Sequence, residues 1–285
     1  MIRGRKKVTS SEKTEKVKPE PAKKKRSKIR VFFTILATLM LIVGIGLLLF
    51  PPVSNTYGKI VAESIADDFD KRVEIIEKNK NLKKSSDSDN SKNNFYYDNN
   101  DDGIDYQKID IDALYKDSKA YNKNLRENQS SLLTNDYVFE KPALYLSHYG
   151  IYDGVYGYVN IPAIDLKIPI YLGIQNDHMS YGAAHLTYTS LPIGDNNSNC
   201  VLAAHTGYVG RIFFDNIRNL KAGDNVQVVN YWNKVNYTVT GHKIIKPNEA
   251  EDIFIEENKS KLVLMTCITN NSGGFDRYLV YCEKN

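Results

Sequence analysis

Residues 261–282 read KLVLMTCITNNSGGFDRYLVYC, two apolar runs separated by a segment of Asn, Ser and Gly. Runs of this length and composition, bounded by turn formers, read as short strands. Similar runs recur upstream at close intervals: YGYVNI, IPIYLG, NCVLAAH, NVQVVNYW and VNYTVTGHKII. The expectation is an all-β sandwich or barrel from about residue 155 onward. Within it, NLKAGDNVQVV and VVNYWNKVNYTV predict turn-linked antiparallel strands, with Ala-Gly-Asp and Asn-Lys at the turns. No long helical pattern interrupts this half, which argues against a Rossmann-like sheet.

Three strand ends carry chemistry. Cys267 closes the run KLVLMTC directly before a turn, so a rigid strand would fix the sulfur while the loop leaves it accessible. The same position also suits an inert small hydrophobe capping a buried strand. His205 ends the run in LAAHTG, and imidazole is the side chain best suited to carry protons near neutral pH, although a lone histidine is more often structural. Arg277 begins the last strand in GFDRYLVYC; a guanidinium stays charged and presents fixed donors to a developing oxyanion. Cys200 and Cys282 lie inside strand-like runs and read as packing residues. With three cysteines, at least one thiol is free, and the spacing lacks the close C-x-x-C of zinc sites.

The amino-terminal part is of another kind. Residues 31–50, VFFTILATLMLIVGIGLLLF, hold no charge and two threonines, and at ~1.5 Å per residue they cover the ~30 Å of a bilayer core. KKKRSK at 23–28 precedes them, which orients that end toward the cytoplasm and the remainder outside. The apolar run is longer than a signal-peptide core and no A-x-A-like site follows, so a retained anchor is expected. The first 30 residues carry 13 Lys/Arg against 3 Glu, whereas the rest carries 25 against 31. Basicity therefore belongs to a tail, and a nucleic-acid-binding surface is excluded. Residues 59–78 have helical spacing (Ile60, Val61, Ile65, Phe69, Val73, Ile76), residues 79–105 read as a flexible Asn/Asp/Ser/Lys linker, and 109–125 predict a helix through Ile111, Leu114, Tyr115, Ala120, Tyr121 and Leu125.

In the order His, then T-C, then Arg ten residues on, the chain resembles the sortase family. The family's T-L-x-T-C box stands as Val263-Leu264-Met265-Thr266-Cys267, its first threonine replaced by valine, and the basic strand as Asp276-Arg277-Tyr278-Leu279-Val280. The segments at 157–173, 182–197 and 205–224, and AYNKNL at 120–125, are similar to the pilus-assembling class C branch. The link from 244 to 261 is too short for the helical insertion of class B. Two class C features are missing from the sequence: an Asp-Pro-aromatic tripeptide between 125 and 157, where NDYVFEKP at 135–142 is the nearest counterpart, and an apolar segment after Cys282.

What the resemblance implies is a closed sortase-type β-barrel of about eight strands with short helices, behind an amino-terminal transmembrane helix. The expected division is a cytoplasmic tail over 1–28, a membrane helix over 29–50, a stalk and linker over 51–110, a helix and candidate lid over 111–156, and a catalytic barrel over 157–285. It implies Cys267 as nucleophile, His205 as proton carrier and Arg277 as transition-state stabiliser, with Thr206, Thr266, Thr189, Ser190 and His185 as candidates for the substrate groove. No metal or cofactor is implied. The implied partners are surface or pilin proteins with a C-terminal sorting signal similar to L-P-x-T-G, an amine acceptor (a pilin lysine or a peptidoglycan cross-bridge) and the membrane of a Gram-positive cell. Two other functions fit the residues alone: a cysteine peptidase with water as acceptor, and a non-catalytic adhesion or sensing domain.

Overall fold

A computed structural model describes residues 28–86, 106, 108–132, 141–207, 209, 210, 213–249 and 251–285. The basic tail over 1–27, the linker residues 87–105 and residues 133–140 of the candidate lid lie outside them. The chain forms two compact units, residues 1–48 and 49–285. In the first, residues 28–48 are helical and exposed, in one helix long and apolar enough to cross a membrane.

That helix, α1, spans Lys28–Ser86 and takes in the whole of 59–78, where the sequence suggested a separate element. Residues 79–86 are helical too, a correction to the expected linker: the strong helix formers Leu82, Lys83 and Lys84 extend the preceding turns. Its buried face is Ala62, Ala66, Phe69 and Ile76, while Ile60 is exposed. Small alanines let the helix approach the sheet, and Phe69 packs against the rings of Tyr231 and Tyr158 at 4.7 and 6.0 Å. Burying such a ring contributes roughly 1.5–3 kcal/mol. Arg72, buried beside it, is paired with Asp153 and donates to the Tyr231 hydroxyl at 3.1 Å. Helix α2, Ile111–Leu132, buries Ile111, Leu114, Ser118, Asn122, Leu125 and Gln129. Tyr115 is exposed. Half of this face is polar because it meets backbone: the Asn122 amide pairs with both the N–H and the C=O of Leu191, at 2.7 and 3.1 Å.

The carboxy-terminal half is a closed barrel. Its strands are β1 (Val155–Ile161), β2 (Leu166–Leu172), β3 (Ala183–His185), β4 (Ser198–Ala203), β5 (Asn225–Asn230), β6 (Lys234–Ile245), β7 (Ser260–Thr269) and β8 (Phe275–Lys284), with the short helix α3 (Asn176–Tyr181) between β2 and β3. The spatial order is β1-β2-β3-β4-β7-β8-β6-β5, and β5 closes onto β1. Closure removes the unpaired edges that would invite association with other chains. β2–β3 and β4–β7 are parallel and the other pairs antiparallel. Val159, Ile168, Cys200, Leu202, Val228, Leu264, Val280 and Cys282 belong to the core inside. Tyr156, Tyr158, Val229 and Tyr231 join a second core beneath α1 and α2.

The β5–β6 turn falls at residues 231–233, earlier than Asn-Lys. Asn230 causes the shift: its Oδ1 accepts the amide N–H groups of Trp232 and Asn233 at 3.0 and 2.9 Å, closing the chain before Trp232 extends the strand.

Candidate active site

β7 and β8 place Cys267 directly opposite Arg277. Opposed residues share a face of the sheet, and Arg277 Nη1 donates to Cys267 Sγ at 3.2 Å. The turn between the strands fixes this register. Asn270 accepts from the amides of Ser272 and Gly274 at 3.0 and 2.9 Å, Gly273 takes φ +78°, and Asp276 accepts from Asn270 Nδ2 at 3.1 Å. Asp276 thus secures the turn.

His205 arrives from the other side of β7. β4 runs parallel to β7 with Ala203 opposite Met265, so continuing the register brings 205 beside 267. Two bonds hold the chain there past the formal end of β4: the Ala204 N–H donates to the Met265 carbonyl at 3.2 Å, and Thr266 Oγ1 donates to the Ala204 carbonyl at 2.8 Å. Adjacent backbones in a sheet lie ~4.8 Å apart. Cys267 and Arg277 therefore stand on neighbouring strands, β7 and β8, while His205 lies two residues past the end of β4, the strand on the other side of β7; all three residues are half-buried.

The face is the outer one. Along β7, Leu262 and Leu264 point into the barrel, whereas Val263 joins Val201, Leu279, Leu186, Ile245 and Ile253 in a cluster on the outside, with Met265 packed against it. Two residues past Met265, Cys267 continues this outer row where the cover thins. The other thiols are enclosed. Cys200 and Cys282 both flank Leu262, one on each side, two strand spacings apart and out of disulfide reach. Burial pushes the Cys282 thiol up to about 12 and Cys200 further still.

Four of the five groove candidates are committed to the wall. His185 is fully buried, opposite Leu202, which places it on the interior face away from Cys267. Its Nε2 donates toward the carbonyls of Ser190 and Thr189 at 3.1 and 3.2 Å, Nδ1 has no hydrogen-bond partner, and burial lowers its pKa to about 4. Thr189 Oγ1 donates to Leu186 O and accepts from Val201 N, and Ser190 Oγ accepts from Asn199 N, so both buried hydroxyls stitch the β3–β4 connection to β4. Thr266, also buried, is the strap on Ala204. Thr206, directly after His205, is half-buried. Sequence reasoning missed Asp215, whose carboxylate accepts from the Gly207 N–H at 2.8 Å and braces the segment after His205. Among the described residues no cluster of three or more His, Cys, Asp or Glu could hold a metal ion.

Comparison with known proteins gives the same family from three directions. A sortase domain model matches residues 159–285. Among curated relatives, sortase A of Streptococcus agalactiae is 29% identical over 133 residues (45% of this chain, 52% of that protein), and sortase D of Bacillus subtilis is 27% identical over 130 (45% and 63%). The match thus spans between half and two thirds of the length of these relatives. Among solved structures, sortase C of Clostridium perfringens, determined with the C-terminal cell wall sorting motif, is 31% identical with a TM-score of 0.50, over 61% of this chain and 89% of that one. Sortase C-1 of Streptococcus pneumoniae is 30% identical with a TM-score of 0.54, over 64% and 92%. The chain belongs to the sortase family.

Proposed function

We propose that this sortase is a membrane-anchored cysteine transpeptidase of the class C kind. The observation that carries the reading is the Arg277 guanidinium on the Cys267 sulfur; His205, two residues past the end of β4 beside β7, supports it. As thiolate, Cys267 adds to the threonine carbonyl of a sorting signal similar to L-P-x-T-G. Arg277 holds the charge that develops on the carbonyl oxygen. When the Thr–Gly C–N bond breaks, protonated His205 gives its proton to the leaving glycine amine, and a thioester remains on Cys267. An acceptor amine then attacks that thioester. Neutral His205 takes the amine's proton, the new amide forms, and the thiolate leaves to restore the enzyme.

The neighbours, one solved with a C-terminal cell wall sorting motif and another described as pilus-related, support a pilin or surface protein with a sorting signal as donor; the proposed acceptor is a pilin lysine, with a peptidoglycan amine the other candidate. The exposed apolar helix over 28–48, behind the basic run at 23–28, supports a single-pass anchor with residues 157–285 as the catalytic barrel outside the cell. Incubating the protein with a sorting peptide, with and without an added amine, tests the reaction. A new amide, formed only with amine present, is expected. Hydrolysed peptide alone would make the protein a peptidase, and an untouched peptide would remove the enzyme assignment.

A further inference from the structure

After His205 the chain leaves the barrel wall and rejoins it at Phe214, whose N–H donates to the His205 carbonyl at 3.1 Å. The Gly207–Asp215 bond cinches the same base. Away from that base the segment meets α1. The Gly210 N–H donates to Asn55 Oδ1 at 2.6 Å, a contact between residues 155 positions apart. The two backbones approach more closely than side chains permit. A Cβ on Gly58 would fall far inside van der Waals contact with the Gly210 carbonyl, and one on Gly210 would come within 2.8 Å of Ser54 Oγ, at a φ of +79° that favours glycine. The seating of α1 on the barrel does not require this contact, because Ala62, Ala66, Phe69 and Arg72 already anchor the helix further along.

We propose that Asn55, on the close approach that Gly58 and Gly210 allow, is a positioning residue for His205. The proposal rests on His205 being the proton carrier of the reaction above. Phe214 ties the His205 carbonyl, Asp215 ties Gly207 and Asn55 ties Gly210, and these three contacts oppose movement of the His205 backbone away from β7. A displacement near 1 Å at a reacting group costs as much as ~10²-fold in rate. Asn55 follows Phe50, the last residue of the apolar run, by five positions, or ~7.5 Å of helix. The brace on the His205 segment is therefore supplied by the stem that adjoins the membrane-spanning run.

The test uses the full chain in detergent micelles, comparing Asn55→Ala, Asn55→Asp, Gly58→Ala and, as a control, Lys80→Ala, which removes the exposed Lys80–Asp112 pair elsewhere on α1. Peptide turnover, melting temperature and the ring resonances of isotope-labelled His205 are measured for each. Asn55→Ala and Gly58→Ala are expected to lower kcat about tenfold with KM within twofold and to shift the His205 resonances. Asn55→Asp keeps the acceptor and returns both to near the parent values, and Lys80→Ala changes neither. Parent-like kcat and His205 resonances in folded Asn55→Ala overturn the proposal, as does a loss of activity that Lys80→Ala reproduces. Should Gly58→Ala fail to fold, the Asn55 pair decides alone. Should the parent chain turn over no peptide, the transpeptidase reading fails, and the His205 resonances still decide whether Asn55 positions that ring.

Discussion

Arg277 Nη1 and Cys267 Sγ are 3.2 Å apart because their residues are direct cross-strand partners, joined by a turn that Asn270 and Gly273 hold in one register. A guanidinium so placed presents fixed donors toward the point where the substrate carbonyl must arrive. Replacing Arg277 with Ala is expected to lower kcat about 10²–10³-fold, the usual cost of losing an oxyanion donor. Lysine in its place restores only part of that, because a point charge does not reproduce the fixed fork. Steady-state kinetics of both variants check this; equal recovery by lysine would mean that charge alone matters.

Thiol chemistry is expected to discriminate sharply. Cys200 and Cys282 are buried with thiols pushed far up, and only Cys267 reaches the surface. In the native protein iodoacetamide should modify Cys267 alone, because the other two thiols are enclosed. All three should react in denaturant. Peptide mapping reads the outcome, and labelling of Cys282 in the folded state would contradict the packing.

The Thr266 hydroxyl is the side-chain strap between β7 and the carbonyl of Ala204, the residue before His205. Thr266→Val keeps the shape and removes the donor, leaving a buried carbonyl short of one partner. A loss of about 1–3 kcal/mol in stability is expected, with Thr266→Ser recovering most of it. Urea titration measures the stability, and a parallel kcat assay shows whether the strap also serves His205.

His185 sets an acid limit. In the unfolded chain an imidazole titrates near the usual 6.5, whereas burial holds it at about 4 in the fold. Between those values the unfolded state binds the extra proton, so stability contributed by the neutral ring is present above about 6.5 and is lost as pH falls toward about 4. The loss is of the order of a few kcal/mol. Melting temperatures from pH 8 to 4 should fall more steeply for the parent than for His185→Gln. Parallel curves would show that other groups set the acid limit.

Much of this barrel was legible in its local chemistry. β7 and β8 announce themselves as apolar runs around NNSGG, but the strands run past the expected ends: Cys267 stands two residues inside β7, Arg277 two residues inside β8, and His205 two residues beyond β4. Strand adjacency was not legible: that β4 lies beside β7, rather than β5, depends on a parallel crossover that no local pattern encodes. Polar residues took places that their type does not announce. Thr189, Ser190 and His185 look like groove chemistry and are wall fasteners, while Ser118, Asn122 and Gln129 look like the wet face of α2 and are its buried one, matched to backbone groups. Asn55 left no local sign, since its partner lies 155 residues away. The turn at 231–233 turned on the side chain of Asn230, one residue ahead of what reads as a continuing strand.

The central claim is that Cys267 forms the acyl-enzyme. Mass spectrometry of the intact protein, quenched in acid during incubation with an L-P-x-T-G-type peptide, should show an adduct equal to the peptide fragment through threonine, mapped to Cys267 and discharged when amine is added. No adduct on a Cys267 that still alkylates normally, or an adduct on another residue, would contradict the account.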